Sequence, residues 1–348
     1  MAYTTVDNPE LYFQTKTYTG TGNDNLSITL DGSENMQPDW VWIKDRGESS
    51  AHEVFDSVRG VTKTIQPNQT NAEATQADTL KSFDSDGFTL GDNGDINYSG
   101  SNTYVAWNWK AGTSFSNDAS ATSVGTIDST GSVSTTAGFS IISFTGQTGT
   151  VAHGLGVKPS MIILKCRAVS NNWVIQHKGL TGGMDDNALI FTTSAEIGAP
   201  TAEPTTSVFT VNNQIAENNN NIAYIFSDIK GYSKFGSYTG NGNADGAFVY
   251  TGFKPAWLLI KRSSASGTDW ILHDNKRAGF NVNDDYLAPN TSAAEVTGNT
   301  YQNLDLLSNG FKLRGSGTGT NTSGATYIYM AFAESPFTNS NGIPNNAR

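Results

Sequence analysis

Cysteine is almost absent. Cys166 is the only one, so no intrachain disulfide forms, and the chain fits folding in a reducing cytoplasm. Directly following the apolar run Met161–Leu164, it reads as a small buried thiol. Charge is scarce too: charged residues are 15% of the chain, and the formal net charge is −11. No cluster of Lys and Arg reverses that sign locally, so no nucleic acid is expected as a partner. No run approaches the roughly 18 apolar residues of a membrane span, and no membrane insertion is expected. The start, MAYTTVDNPELYF, has no basic stretch leading into an apolar core, so no secretion signal is expected. The histidines His52, His153, His177 and His273 show no metal-ligand spacing. There is no Gly-x-Ser-x-Gly elbow, and the Gly-rich stretch Gly315–Gly319 lacks the Lys-Ser/Thr of a phosphate loop. The chain therefore reads as a non-enzyme with no catalytic residue, cofactor or metal. A carbohydrate-active enzyme is the one enzymatic class its many carboxylates leave open.

What is abundant is Gly, Ser, Thr and Asn, together with 11% aromatics. That mixture suits short strands and tight turns and opposes long helices. It is also arranged in repeats. Pro38-Asp39-Trp40-Val41-Trp42-Ile43-Lys44 recurs as Pro159-Ser160-Met161-Ile162-Ile163-Leu164-Lys165 and as Pro255-Ala256-Trp257-Leu258-Leu259-Ile260-Lys261. An aromatic-Thr-Gly precedes each copy (Tyr18-Thr19-Gly20, Phe144-Thr145-Gly146, Tyr238-Thr239-Gly240). An Ala-Glu pair follows each one (Glu73, Glu196, Glu295), then a turn ending in Phe88, Phe209 or Phe311. Each copy closes on an aromatic segment, Tyr104–Trp109, Ile222–Phe226 or Tyr327–Phe332.

The expected fold class is all-β: three tandem β-sandwich-like domains of about 100 residues, with short helical turns only. The boundaries fall at 1–11 for an N-terminal arm, 12–112, 138–231 and 232–337 for the three domains, and 338–348 for a tail. Residues 113–137 form a Ser/Thr/Gly-rich linker or an edge hairpin. No obvious fibre shaft is expected ahead of the first domain, and the tail reads as frayed from Glu334. Each four-residue apolar run predicts a central strand covered on both faces. In the closing segment, Val105, Trp107 and Trp109 face one way, and Tyr104, Ala106 and Asn108 the other. Asp86-Gly87 and Asn309-Gly310 predict turns with positive φ. The segment Ala72–Phe83 is the best helix candidate.

Among candidate sites, Lys44 with Glu73, Lys165 with Glu196, and Lys261 with Glu295 are repeated structural positions. Each could form an ion pair within its own unit. Asp56-x-x-Arg59 and Asp274-x-x-Arg277 read as turn supports, a pattern broken in the second copy by His177 and Leu180. Asp84, Asp86, Asp92 and Asp95 suggest a loose calcium loop, but without the spacing and closing Glu of a calcium hand. They read better as a turn. Trp109, Tyr232 and Trp270, near strand ends, are the candidate sugar-stacking aromatics.

Several motifs carry a resemblance. They are Pro38–Lys44, Phe55-Asp56-Ser57-Val58-Arg59-Gly60, Ser82–Gly91, Tyr104–Gly112, Gly231–Gly240 and Tyr327–Glu334. Together they resemble the repeated domains of tail-fibre-like virion structural proteins of marine bacteriophages, the cyanophage and pelagiphage type. The resemblance spans nearly the whole chain and brings no catalytic residues with it. It implies a virion component assembled in the host cytoplasm. The expected role is a tail-fibre or receptor-binding appendage contacting the host surface, with host-surface glycan as a candidate ligand. The alternative is a capsid or tail decoration or scaffold protein that binds other virion proteins. A homo-oligomer is expected, with a trimer favoured.

Overall fold

A computed structural model describes residues 4–346. The three apolar runs become central strands, Trp40–Asp45, Met161–Cys166 and Phe253–Arg262. Each pairs on one side with the closing strand of its repeat (Thr103–Trp109, Asn220–Phe226, Thr326–Pro336) and on the other with a short strand (Glu53–Asp56, Val174–His177, Ile271–Asp274). The opening strands Phe13–Thr19, Phe139–Thr145 and Ser233–Thr239 flank the closing ones, so each repeat builds the same antiparallel sheet. A smaller sheet covers one face of each. In the first repeat it is Leu26–Thr29, Gly87–Leu90 and Leu80–Asp84; in the third, Phe248–Tyr250, Gly310–Leu313 and Leu304–Leu307. The second uses only Gly149–Ala152 and Val208–Val211.

The all-β expectation holds, and the alternation of the closing strand explains how the repeats assemble. Tyr104 and Ala106 face the small sheet, in a core with Ile28, Val41, Ile43 and Phe88. Val105, Trp107 and Trp109 face the opposite way, into a core that takes residues from all three repeats. The corresponding residues of the other repeats, Ile222, Tyr224 and Phe226, and Ile328, Met330 and Phe332, lie in that same core. The ring centroid of Phe332 lies 5.6 Å from that of Trp109 and 5.8 Å from that of Phe226. Trp40 stacks on Tyr224 of the second repeat at 4.7 Å. The repeats thus form one threefold-like ring around a common aromatic axis, rather than three separately closed domains. The indole N–H groups of Trp40, Trp109 and Trp257 are buried without a partner among the described residues, which costs ~1–3 kcal/mol each. Burying ~150–250 Å² per ring at ~25 cal/mol/Å² returns roughly 4–6 kcal/mol, so packing outweighs the lost bonds.

The strand register gives the ring two ends. Trp40 pairs with Trp109 at one end, here called the base, and Asp45 with Tyr104 at the other, the top. Residues 4–12 and 337–346 lie at the base, where Ser340 N donates to Asp7 Oδ1 at 2.7 Å.

Of the two readings of residues 113–137, the hairpin is the one present: 113–117 pairs with 129–134 at the edge of the eight-stranded second sheet. Other expectations change. Ala72–Phe83 is not helical. Ala74–Thr75 and Leu80–Asp84 are strands, the latter zipped to Gly87–Leu90, and that pairing overrides the local helical pattern. Glu334–Pro336 complete the long closing strand instead of fraying. Gly87 has the expected positive φ, +114°. Gly310 is absent from the positive-φ positions, and close approach is what requires glycine there: a Cβ would sit 2.1 Å from the Val249 carbonyl oxygen.

Candidate functional site

The repeated lysines are fully buried, and they do not pair with the repeated glutamates. Lys44 Nζ donates to the carbonyls of Asp45 (2.6 Å) and Glu48 (2.9 Å). Lys165 Nζ donates to those of Thr70 (2.8 Å) and Asn171 (2.6 Å), and Lys261 Nζ to that of Thr268 (2.7 Å). Burial pulls all three ammonium groups down to about 8. A strand-end Lys whose charge is met by carbonyl dipoles has no reach left for a distant carboxylate.

The glutamates join neighbouring repeats instead. The backbone N–H of Glu73 donates to Arg167 O (2.9 Å), that of Glu196 to Ser263 O (3.0 Å), and that of Glu295 to Arg46 O (2.8 Å). The acceptor is always two residues past the repeated Lys of the next unit. The Glu73 carboxylate also grips Arg167 through both oxygens, at 2.8 and 2.9 Å, and Glu295 grips Arg46 at 2.8 Å. Burial pushes Glu73 up, but Arg167 and Arg59 outweigh it and hold the carboxyl below its usual range.

Behind each grip runs a buried relay. Tyr224 of the second repeat donates to Asp56 of the first at 2.6 Å, Asp56 binds Arg59, and Arg59 reaches Glu73 at 3.3 Å. At the next junction Trp107 of the first repeat donates to Asp274 of the third at 2.9 Å. Arg277 then bridges Asp274 (2.5 Å) and Glu295 (2.6 Å). Burial raises Asp274, and the Arg277 charge overrides it to leave the carboxyl below its usual range. At the third junction the same places hold Met330, His177, Leu180 and Ser263, and the relay shrinks to His177 Nε2 on the Tyr329 carbonyl at 3.1 Å. The two Asp-x-x-Arg motifs do support turns, since the Asp56 and Asp274 side chains accept the Arg59 and Arg277 backbone N–H groups.

Trp109, Tyr232 and Trp270 are 0%, 1% and 1% exposed and belong to the axial core. They are structural rings with no face left for a sugar. Trp270 Nε1 donates to Ile190 O across a junction at 3.0 Å, as its counterpart Trp173 does to Gln66 O at 2.9 Å. Asp84 and Asp86 belong to the hairpin turn: Asp84 accepts from the Ser82 and Thr89 hydroxyls, and Asp86 from Met36 N.

The site with contributions from all three repeats lies at the top of the axis, a depression of about 580 Å³. Asn68, Thr192 and Asn290 occupy matching places around it. Asn68 Oδ1 accepts from His52 N (3.0 Å) and Asn290 Oδ1 from Trp270 N (2.9 Å), while Asn290 Nδ2 donates to Asp269 Oδ1 (2.7 Å). Asn172 stands exposed on the rim, and the buried Trp173 and Phe191 complete the lining. Sequence reading missed these residues. The available signal was a Pro-Asn pair, Pro67-Asn68 and Pro289-Asn290, ahead of the Ala-Glu in two of the three copies.

A family model described as a domain of unknown function (DUF7483) matches residues 8–336. The chain belongs to that family. The DUF7483 match runs through all three repeats, so it covers the ring and its axial depression as a single unit. No curated protein and no solved structure matches this DUF7483 chain.

Proposed function

We propose that this chain is a structural and binding component of a bacteriophage virion, acting at the host surface as part of a tail fibre or receptor-binding appendage. The observation that carries the reading is the closed ring. Three repeats locked by cross-unit grips make a rigid block, and that block offers a loop-built depression at the end away from residues 4–12 and 337–346. Rigid scaffolds that present loops at one end are the usual form of recognition modules. The motif resemblance supplies the virion context.

The same threefold-like outline favours one other reading, a decoration protein seated on a three- or sixfold site of the particle. Gold-labelled antibody against the protein on intact virions separates the two. Label at the tail periphery, with adsorption reduced by free protein, is the expected result. Label on the head makes decoration the role, and unlabelled particles overturn the virion assignment.

A further inference from the structure

We propose that the axial depression at the top of the ring is a binding site for a neutral saccharide; the inference rests on the host-recognition reading and names its ligand. The site is built only once. Asn68, Thr192 and Asn290 are matching positions, yet Asp269 and Asn172 precede Trp270 and Trp173 where the first repeat has Ala51 before His52. Threefold-like placement with diverged side chains gives an asymmetric pocket, suited to a ligand without threefold symmetry.

The lining chemistry narrows the class. Among the described lining residues there is one carboxylate, Asp269, and no Lys or Arg. An anionic ligand would meet that carboxylate and the field of a chain with net charge −11, with no cation to receive it. A cationic ligand would find a carboxylate already bonded to Asn290 and two aromatic rings, Trp173 and Phe191, only 2% and 5% exposed. An apolar ligand would strip water from the amides Asn68, Gln69, Asn71 and Asn172 without replacing their bonds.

A neutral polyol avoids all three penalties. Each hydroxyl both donates and accepts, matching amides that offer a donor beside an acceptor. Two of those amides are held in place: Asn68 is fixed through Oδ1 on His52 N, and Asn290 is fixed from both ends. Trp173 and Phe191, 2% and 5% exposed, add only a small apolar margin to this polar lining. About 580 Å³ lies within the range of small-ligand sites and accommodates one or two sugar rings.

The test is binding of the full chain to an immobilised panel of neutral oligosaccharides (glucose, galactose, mannose and N-acetylhexosamine types) beside uronate- and sialate-bearing ones, followed by titration calorimetry. Selective binding to one or more neutral members is expected. Asn68→Ala and Asp269→Asn should each weaken it at least tenfold, and Asn172→Trp, which fills the rim from an exposed position, should abolish it. Ser143→Ala, beside the separate depression near residues 113–130, should leave it unchanged. Preference for acidic sugars, or neutral binding indifferent to Asn172→Trp in a variant with wild-type melting, overturns the proposal. Free protein that blocks adsorption without binding any neutral sugar overturns it too, pointing to a polypeptide ligand while host recognition stands. Sugar binding by a protein found on no virion leaves the site in place and removes the host-recognition reading.

Discussion

Tyr224 of the second repeat and Asp56 of the first share a hydrogen bond of 2.6 Å inside a core where both side chains are fully buried. Trp107 and Asp274 form its counterpart between the first and third repeats. A buried carboxylate with an arginine on one side and a neighbour's donor on the other makes each repeat part of its neighbour's interior.

Tyr224→Phe should therefore destabilise the whole ring by about 1–3 kcal/mol, because one donor to a buried carboxylate is lost. Asp56→Asn should cost more, about 3–5 kcal/mol, since it takes from the buried Arg59 its closest carboxylate and leaves only Glu73 at 3.3 Å. The double variant should cost less than the sum of the two. Denaturant unfolding of the four proteins checks this, and strict additivity would show that the bond carries no coupling.

Unfolding should be a single cooperative transition, not three. A fragment of residues 12–112 would expose Trp40, Trp42, Trp107 and Trp109, which the other repeats now cover. Calorimetry of the full chain should give one peak, and the fragment should show no near-ultraviolet circular dichroism. A folded, soluble fragment would contradict the shared core.

Glu295→Gln should lower the melting temperature of the entire ring and not of the third repeat alone, by a few degrees. It removes charge from the contacts to both Arg46 and Arg277. The same scan reads it out, and a shoulder confined to part of the enthalpy would mean that the third repeat melts independently.

Glu53 is held neutral. Burial pushes its carboxyl up to about 8, against 4.5 for the free group, with Gln66 and the Thr64 hydroxyl bonded to it. Its stabilising contribution is full below pH 4.5 and is lost as pH rises through about 8. Glu53→Gln keeps the shape and removes that loss. The variant should match the parent near pH 4 and exceed it by on the order of 4 kcal/mol at pH 8, as read from urea midpoints.

The histidines set the opposite limb. Burial holds His153, His177 and His273 down at about 4, so the stability of the neutral rings is present above 6.5 and is lost as pH falls through 4. His177→Gln still offers a donor to the Tyr329 carbonyl and an acceptor to Gly179 N. Midpoints at pH 7, 6 and 5 should fall less steeply in this variant, and an unchanged slope would remove His177 from the acid response.

Much of the sheet was legible. Pro38–Lys44 and its two copies announced central strands, and the alternation from Tyr104 to Trp109 announced two buried faces. What covers the second face was not legible, because nothing in Val105, Trp107 or Trp109 says whether a face closes on its own repeat or on another. The glutamates were found and their partners were not. The signal, Lys-x-Arg at 44–46 and 165–167, is broken by Ser263 in the third copy. The axial depression was invisible because it belongs to no single repeat.

One consequence follows from the junction where Met330, His177, Leu180 and Ser263 replace the charged relay. It joins the second and third repeats, which follow one another directly in the chain, as the first and second do where the strand ending at Trp109 leads within three residues into the second sheet at Thr113; the first and third share no direct connection. A short tether keeps two surfaces at high effective concentration, so that seam stays closed with ordinary packing. One Asp-Arg-Glu-Arg relay stands at the seam between the first and third repeats, which no stretch of backbone crosses, and electrostatics there replaces what connectivity provides at the seam between the second and third.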